Sequence, residues 1–365
     1  MSQYRYIFAD LLTNQTLAEL QLTSVNFTQA LNSAGTFQGS ILLSGVDSTK
    51  LNVAAATVPA RTAVYVDRDG ILVWGGIIWS REYNSSNQHL SIVAREFESY
   101  WERRRITTTQ TFFNTDQFSI VQALVSNSQQ NAYANIGVQV PSNLSGVKIT
   151  RTFFAYELKP IYQALLDLSR STYGFDFNIT VSYDGGGQPI KMLELLYPRS
   201  GKSYQANSLG PPVFEFPAGN MIEYIYPEDG SRAVNYLYAA GAGSNEGKQV
   251  LTATDQTKLN TGWPLLEDLV NYSDLTDQGL IQNLAQGQIY AQSYPPTTMR
   301  ILVTPYIDPI FGTYSLGDDA RIRIVDERFP QGIDATYRIV AINVDPGESS
   351  GERVTLTLTL PNATA

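Results

Sequence analysis

Apolar and polar positions alternate along most of this chain, and the clearest run is Ala63 to Tyr100. Ala63–Asp67 and Ile71–Trp74 are short stretches rich in β-branched and aromatic residues, separated by Arg68-Asp69-Gly70. Asp-Gly between such stretches predicts a hairpin, because glycine accepts the positive φ of a tight turn. Gly75-Gly76 then interrupts what would otherwise be one strand from Ile71 to Glu82. Paired glycines there predict a bulge, a bend or the close approach of another backbone. The chain continues as Ile77–Tyr83, turns through Asn84–Asn87 and returns as His89–Ala94. This is an antiparallel meander with the corner that a curling sheet requires.

The pattern recurs near the C-terminus. Ala320–Asp326 reads as a strand, Glu327–Asp334 as a turn and Tyr337–Val344 as a second strand. Asp345–Glu352 is then a polar turn and Val354–Leu360 a third strand. Both stretches begin with a strand ending in Val-Asp, Val66-Asp67 and Val325-Asp326, followed by a Gly-bearing turn. The shared order points to two copies of one β unit, although three-strand meanders also arise by convergence.

Further strands are expected at Tyr4–Leu12, Thr16–Leu22, Val25–Ala30 and Thr36–Leu43, with Leu51–Val58 a short helix or a loop before Pro59. From Phe112 the period lengthens. Asp116 is placed to cap a helix running to about Ser128, with Ile120, Val121, Leu124 and Val125 at helical spacing. Lys159–Tyr173 reads as a second helix, Pro160 in its first turn and Gly174 at its end. Phe175–Tyr183 and Lys191–Tyr197 form a hairpin across Asp184–Gly187, and Ser200–Pro212 reads as a linker. Val213–Phe216, Met221–Tyr226 and Ala233–Ala239 return to strand character. Thr276 with Asp277 begins a third helix through Ser293, stopped by Pro295-Pro296, and Met299–Tyr306 precedes the final meander. The expected fold is mainly β with α+β insertions. Its parts are a β-rich domain over 1–108, an α+β domain over 109–208, a second β-rich domain from 209–240 and 298–365, and a helix-containing insertion over 241–297.

Composition narrows the function. Charged residues make up 16% of the 365 positions, below the roughly 25% of an ordinary soluble protein, as expected of a chain whose surface is covered by partners. The 22 tyrosines suit extensive interfaces, since the ring buries area while its hydroxyl finds a polar partner. Tyrosine is also simply common in all-β proteins. Lys and Arg total 25 against 34 Asp and Glu, a net charge of −9 that disfavours stable nucleic-acid binding. With no cysteine, disulfides, thiolate metal sites and cysteine nucleophiles are excluded. No secretory signal opens the chain and no apolar run approaches a membrane span, so it reads as a soluble intracellular product.

Motifs for chemistry are weak. His89 is the single histidine, it lies beside a polar turn, and no Gly-x-Ser-x-Gly elbow accompanies it. Asp67-Arg68-Asp69-Gly70 lacks the downstream acid of a calcium loop and reads as a turn. Gly317-Asp318-Asp319 places two carboxylates before a strand, but without an identifiable partner it also reads as a turn. Gly241–Gly247 resembles a phosphate loop only superficially, since no Ser/Thr completes it and no helix clearly follows. Arg103-Arg104-Arg105 beside Tyr100-Trp101 has the residue types for gripping nucleic acid, but in an acidic chain it reads as a solvated edge or a subunit salt-bridge patch. No catalytic, cofactor-binding or metal residue is nominated, and the chain is not expected to be an enzyme.

The order of features resembles that of the central hub proteins at the tail tip of long-tailed bacteriophages. The likeness rests on YRYIFADLLTNQTL, GTFQGSILL and VDRDGILVWGGIIWSREY, a helix-containing middle domain, then LGDDARIRIVD with YRIVAINV. It covers essentially the whole chain in loose strand-and-turn motifs. The resemblance implies two tail-tube-like β-barrel domains separated by smaller mixed domains, assembly as a homotrimer, and six barrels matching a sixfold tube to a threefold tip. It further implies a place at the virion tail tip after assembly in the host cytoplasm, with no cofactor and no direct membrane insertion. The implied partners are a distal tail protein ring, the tape-measure protein and fibre or spike proteins, with DNA only in transit. Any lytic enzyme is then expected on a separate chain, since this one ends just past its last strand. The rivals are a carbohydrate- or receptor-binding adhesin, with Trp74, Trp79 and Trp101 as stacking platforms, and a wall-degrading hydrolase.

Overall fold

The computed structural model describes residues 2–43, 52–171, 173–204, 210–243, 247–272, 277–292, 298–347 and 351–360. The protein is mainly β and packs as two units, the first built mainly of residues 1–223 and 301–357, the second mainly of 224–300.

In the first unit the chain opens with seven strands: β1 (Tyr4–Asp10), β2 (Thr16–Leu20), β3 (Thr23–Ala30), β4 (Thr36–Leu42), β5 (Thr62–Arg68), β6 (Ile71–Asn84) and β7 (His89–Glu96). Their order across the sheet is β3-β4-β7-β6-β5-β1-β2. A short helix, α1 (Val53–Ala56), lies between β4 and β5. The two-residue turn between β5 and β6 has positive φ at both Asp69 (55°) and Gly70 (87°), the conformation that Asp-Gly supplies at least cost. Gly75 and Gly76 do not break the strand. β6 runs unbroken from Ile71 to Asn84, and one register shift against β5 falls where Leu72 and Trp74 pair with adjacent residues, leaving Val73 as the extra residue. The glycines serve close approach instead. A Cβ on Gly76 would lie 2.3 Å from the Arg95 carbonyl oxygen, and one on Gly75 would lie 2.8 Å from Val181 and 2.9 Å from Phe97.

A middle layer follows. β8 (Gln110–Asp116) pairs with β10 (Lys148–Phe153), while β12 (Pro189–Leu196) lies between β11 (Asp176–Tyr183) and β9 (Val138–Gln139). Helix α2 (Gln117–Ser128) starts where the sequence predicts, the Asp116 carboxylate accepting the Phe118 N–H at 2.9 Å. The same carboxylate accepts the Ser145 and Gly146 backbone N–H groups at 3.2 and 2.8 Å, which tie the β10 approach to the helix start. Helix α3 is shorter than its pattern suggests, Ile161–Ser169, with Pro160 as N-cap rather than in the first turn. Turn bonds from Ser171 to the Leu168 carbonyl and from Gly174 to the Ser171 carbonyl follow it, because the apolar stripe of the helix ends at Leu168. Ile120, Leu124, Leu165, Phe118 and Phe177 join Tyr65, Phe97 and Trp101 in one core, so the middle layer is packed onto the first strands.

The chain then rejoins the first sheet. β13 (Val213–Phe216), β14 (Met221–Ile225), β18 (Met299–Val303), β19 (Asp319–Ile324), β20 (Ile333–Asp345) and β21 (Arg353–Thr359) complete it, with β15–β17 in the second unit. Their order is β14-β18-β21-β20, with β19 beside β20 and β13 beside β19. The two halves therefore share a plan: β3, β4, β7, β6, β5 and β1 correspond in space and in chain order to β14, β18, β21, β20, β19 and β13. A long central strand anchors each half, β6 in one and β20 in the other. The halves differ at β1, which runs antiparallel to β5, whereas β13 runs parallel to β19. They also differ between β3 and β4, where residues 31–35 make a short turn and the corresponding β14–β18 connection carries residues 226–298. The described pairings join both halves into one continuous 13-stranded sheet.

In the second unit β15 (Tyr236–Ala240) lies between antiparallel β16 (Val250–Thr254) and parallel β17 (Glu267–Asn271). Helix α4 (Gln256–Asn260) follows β16, and helix α5 (Gln278–Gln292) buries Ile281, Ala285 and Ile289 against Leu237, Ala239 and Ala253. Gly241 donates to the Gln249 carbonyl at 2.8 Å and so closes the β15–β16 connection; Ser244–Glu246 lie outside the described residues. So do Thr276 and Ser293–Pro296, invoked above for the start and stop of the third helix.

Candidate functional site: the joint between two β halves

The halves meet where β20 runs antiparallel to β3, pairing Ala341 with Ala30 and Val344 with Phe27. Asn343 and Asn26 exchange side-chain hydrogen bonds across this joint at 2.7 and 3.0 Å, and Asn343 also donates to the Thr28 hydroxyl at 2.7 Å. A strand has two edges. β20 uses one for β21 and divides the other, residues 333–338 taking β19 and residues 341–344 taking β3.

Buried charges brace the same joint. Arg68, at the end of β5, meets Glu352, just before β21, in a two-point contact of 2.7 and 2.8 Å, with Glu352 almost wholly buried. The Tyr4 hydroxyl donates to the same carboxylate, and Arg68 lies 5.0 Å above the Phe311 ring. Burial and then the anionic neighbour push the Tyr4 phenol far above its usual range, so it stays a donor. A second node links three regions. Arg338 of β20 bonds the carboxylate of Asp176 of β11, which also accepts the Asn32 amide at 2.8 Å and the Ser200 N–H at 2.5 Å. Asn32, in the β3–β4 turn, accepts the Phe177 N–H at 2.8 Å.

Two more acids are buried nearby. Glu96 accepts the Gly35 N–H at 2.6 Å, and Glu98 accepts the Ile179 N–H while its other oxygen has no partner among the described residues. Burial raises both carboxyls, Glu98 to about 7, and the proximity of Glu98 raises Glu96 further. A cavity of about 470 Å³ opens between the halves and the middle layer, lined by Trp74, Glu96, Thr180, Glu194 and Tyr314 among others.

The residues weighed in the sequence fall as follows. Asp318 and Asp319 are brought together with residues 199–204: Asp319 bonds Arg199 at 2.6 Å and accepts the Tyr204 N–H at 2.7 Å, while Asp318 accepts the Lys202 N–H at 2.6 Å. They latch a strand approach and tether the start of the Ser200–Pro212 segment read as a linker, of which residues 205–209 lie outside the described residues. Asp67 is buried, bonded by Arg5 at 2.8 Å, the Tyr183 hydroxyl at 2.6 Å and the Gly70 N–H at 2.9 Å. Burial works to raise its carboxyl, but these donors hold it below its usual value. His89 is a half-buried strand residue opposite Leu42 and Asn84. The three arginines do not converge: Arg103 lies 5.8 Å from the Trp79 ring centre, Arg104 bonds the Ser128 carbonyl at 3.2 Å and Arg105 the Glu102 carbonyl at 2.6 Å. Trp74 and Trp101 are 1% exposed, and the partly buried Trp79 gives its indole N–H to Ser99 at 2.8 Å. Among the described residues no group of three or more His, Cys, Asp or Glu is placed to hold a metal, and no helix is long and apolar enough to cross a membrane. Sequence reasoning missed Arg338, Asp176, Asn32 and Glu352. The available signals were an arginine inside the apolar run Tyr337–Val344 and a lone Glu between Gly351 and the final strand.

No family model matches the chain, and no curated protein matches it in sequence. Solved structures do match its backbone. The 43 kDa tail protein of prophage MuSo2 from Shewanella oneidensis superposes with a TM-score of 0.63 at 13% identity, over 100% of both chains. The tail protein from Neisseria meningitidis MC58 gives 0.59 at 15% identity, over 98% of both chains. The fold is that of phage tail proteins. Prophage tail protein gp18 from Listeria monocytogenes EGD-e shares this tail-protein fold with a TM-score of 0.52 at 15% identity, over 99% of this chain and 95% of that one. At such identities the likeness is one of strand frame, and the Arg68–Glu352 and Arg338–Asp176 nodes are described for this chain alone.

Proposed function

We propose that this chain is a structural protein of a phage virion, the hub at the tail tip. Three copies form a ring that joins a sixfold tail tube to threefold tip components and lines part of the channel through which DNA leaves. The observation that carries this reading is the repeated strand plan: one chain holds two β halves in one sheet, so three chains present six. The tail-protein fold over the full length supports it. The distal tail protein ring, the tape-measure protein and fibre or spike proteins are its partners. The role is mechanical and takes no cofactor. The net charge of −9 suits transit, because a negative wall repels phosphates and does not hold DNA.

The adhesin reading loses its platforms, since Trp74 and Trp101 are core and Trp79 is engaged with Ser99. Light scattering of the purified chain, alone and with tail-tube protein, followed by imaging, tests the hub. A threefold ring with a non-basic lumen is expected. A monomer in both conditions, or a ring of another number, overturns the reading, and clearing of a peptidoglycan zymogram overturns the mechanical role.

A further inference from the structure

Arginines on this chain commonly hold an acid. Arg5, Arg68, Arg95, Arg199, Arg321 and Arg338 each pair with a carboxylate. Arg104 and Arg105 do not. Arg103 turns to Trp79, but these two neighbours line one opening of about 280 Å³ between residues 104–110 and the C-terminal end of α2. Among the described residues no Asp or Glu lines it. Glu102, the nearest acid in sequence, is taken by Arg95 in a two-point contact of 2.7 and 2.9 Å. Arg104 gives one donor to the carbonyl of Ser128, the last residue of α2, and its Nε is shut off from water without a partner among the described residues. Arg105 bonds the backbone carbonyls of Glu102 and Arg104. The rest of the lining adds donors. Gln130 donates to Asn127 at 3.1 Å and Asn127 to Gln110 at 2.9 Å, so this run of amides ends on the Gln110 NH2 group. The backbone beneath is pinned, Ile106 donating to the Lys159 carbonyl at 3.0 Å and Ile161 to the Arg104 carbonyl at 3.1 Å.

We infer that this opening receives an aspartate or glutamate side chain from a second copy of this chain. The inference rests on the hub reading and names one of its contacts. A guanidinium presents its donors in a planar fork that matches a carboxylate, and these two have no acid of their own. A donor buried without an acceptor is costly, and an incoming carboxylate supplies the acceptor together with the opposite charge. Capping α2 accounts for the bond to Ser128, but it leaves Arg105 and the buried Nε unexplained. Charge selects the source. Each copy carries a net −9, so copies repel unless an acid of one meets an unneutralised base of the next. A nucleic-acid grip needs several phosphates neutralised together, and two arginines in an acidic chain do not supply that.

The test uses the full chain with tail-tube protein present. Arg105→Lys puts an amine at the opening, and a zero-length carbodiimide joins that amine to a carboxylate held there. With isotope-labelled and unlabelled copies mixed, peptide mass analysis should find residue 105 joined to an Asp or Glu of the other isotope. Arg105→Glu should weaken assembly about tenfold, read by sedimentation across a dilution series, while the melting curve of the chain stays that of the parent. If that curve falls instead, the Arg105→Lys link decides alone, since that variant keeps the charge. A link within one copy only, or to the tail-tube protein only, overturns the second-copy occupant. A DNA duplex retained by the parent and released by Arg105→Glu makes this a phosphate site and overturns it too. A threefold ring with no link at residue 105 and no response to Arg105→Glu overturns this contact and leaves the hub reading standing. Absence of any ring removes both.

Discussion

Arg338 and Asp176 lie 162 positions apart in the chain, yet their side chains form an ion pair that is about 95% buried on each side. The pair fastens the second β half to the middle layer, and through Asn32 it reaches the β3–β4 turn of the first half. An ion pair this far from water is a poor source of stability but a strict geometric requirement, because either charge alone is costly to bury.

Removing one member should therefore cost more than removing both. Asp176→Ala is expected to lower unfolding stability by about 3–5 kcal/mol, whereas Asp176→Leu with Arg338→Met should recover most of that loss. Urea denaturation of the three proteins checks the order. Equal losses would show that the site acts through packing alone.

Glu352→Ala should behave similarly, since it strands the half-buried Arg68 guanidinium and the Tyr4 hydroxyl together. A loss of about 3 kcal/mol is expected. Proteolysis should then cut within residues 304–318, where Phe311 packs under Arg68, before it cuts β1–β7.

The buried acids set a pH dependence of definite sign. Glu98 has its folded-state pKa at about 7, above the ordinary 4.5, so the folded protein keeps a proton that the unfolded chain loses between these values. Stability should fall as pH rises from about 4.5 to 7, by up to ~3 kcal/mol from this group, with Glu96 acting in the same direction. Asp67 and Asp116, held below their usual values, act oppositely and lose their contribution only as pH falls further. Maximum stability is therefore expected in mild acid, and Glu98→Gln should flatten the decline above it in a series of thermal melts.

Gly76→Ala should be severe although the residue sits in a regular strand. Its Cβ would lie 2.3 Å from a backbone oxygen, and a backbone shift of that kind costs about 2–3 kcal/mol. Gly185→Ala, at a turn with nothing within 4 Å, is the control and should leave the melting temperature unchanged.

Much of the frame was legible in sequence because it depends on local chemistry. Asp69-Gly70 fixes its turn by backbone preference, and Asp116 caps α2 with its own side chain. The echo between Ala63–Ala94 and Ala320–Leu360 corresponds to β5-β6-β7 and β19-β20-β21, since alternating burial writes strand order into composition. What was illegible depends on residues distant in the chain. Gly75-Gly76 read as a bulge, a bend or a close approach of another backbone, and only the packed positions of Val181, Phe97 and Arg95 show that it is close approach the pair serves. Asp318 and Asp319 gave no partner in sequence because Arg199, Lys202 and Tyr204 lie more than a hundred positions away.

The two halves treat one connection differently: Leu31–Gly35 crosses from β3 to β4 in a few residues, while a folded unit of its own occupies the matching place between β14 and β18. That place works as a socket. Whatever module is spliced there begins and ends on neighbouring strands, so its size can change without altering the order of the strands around it.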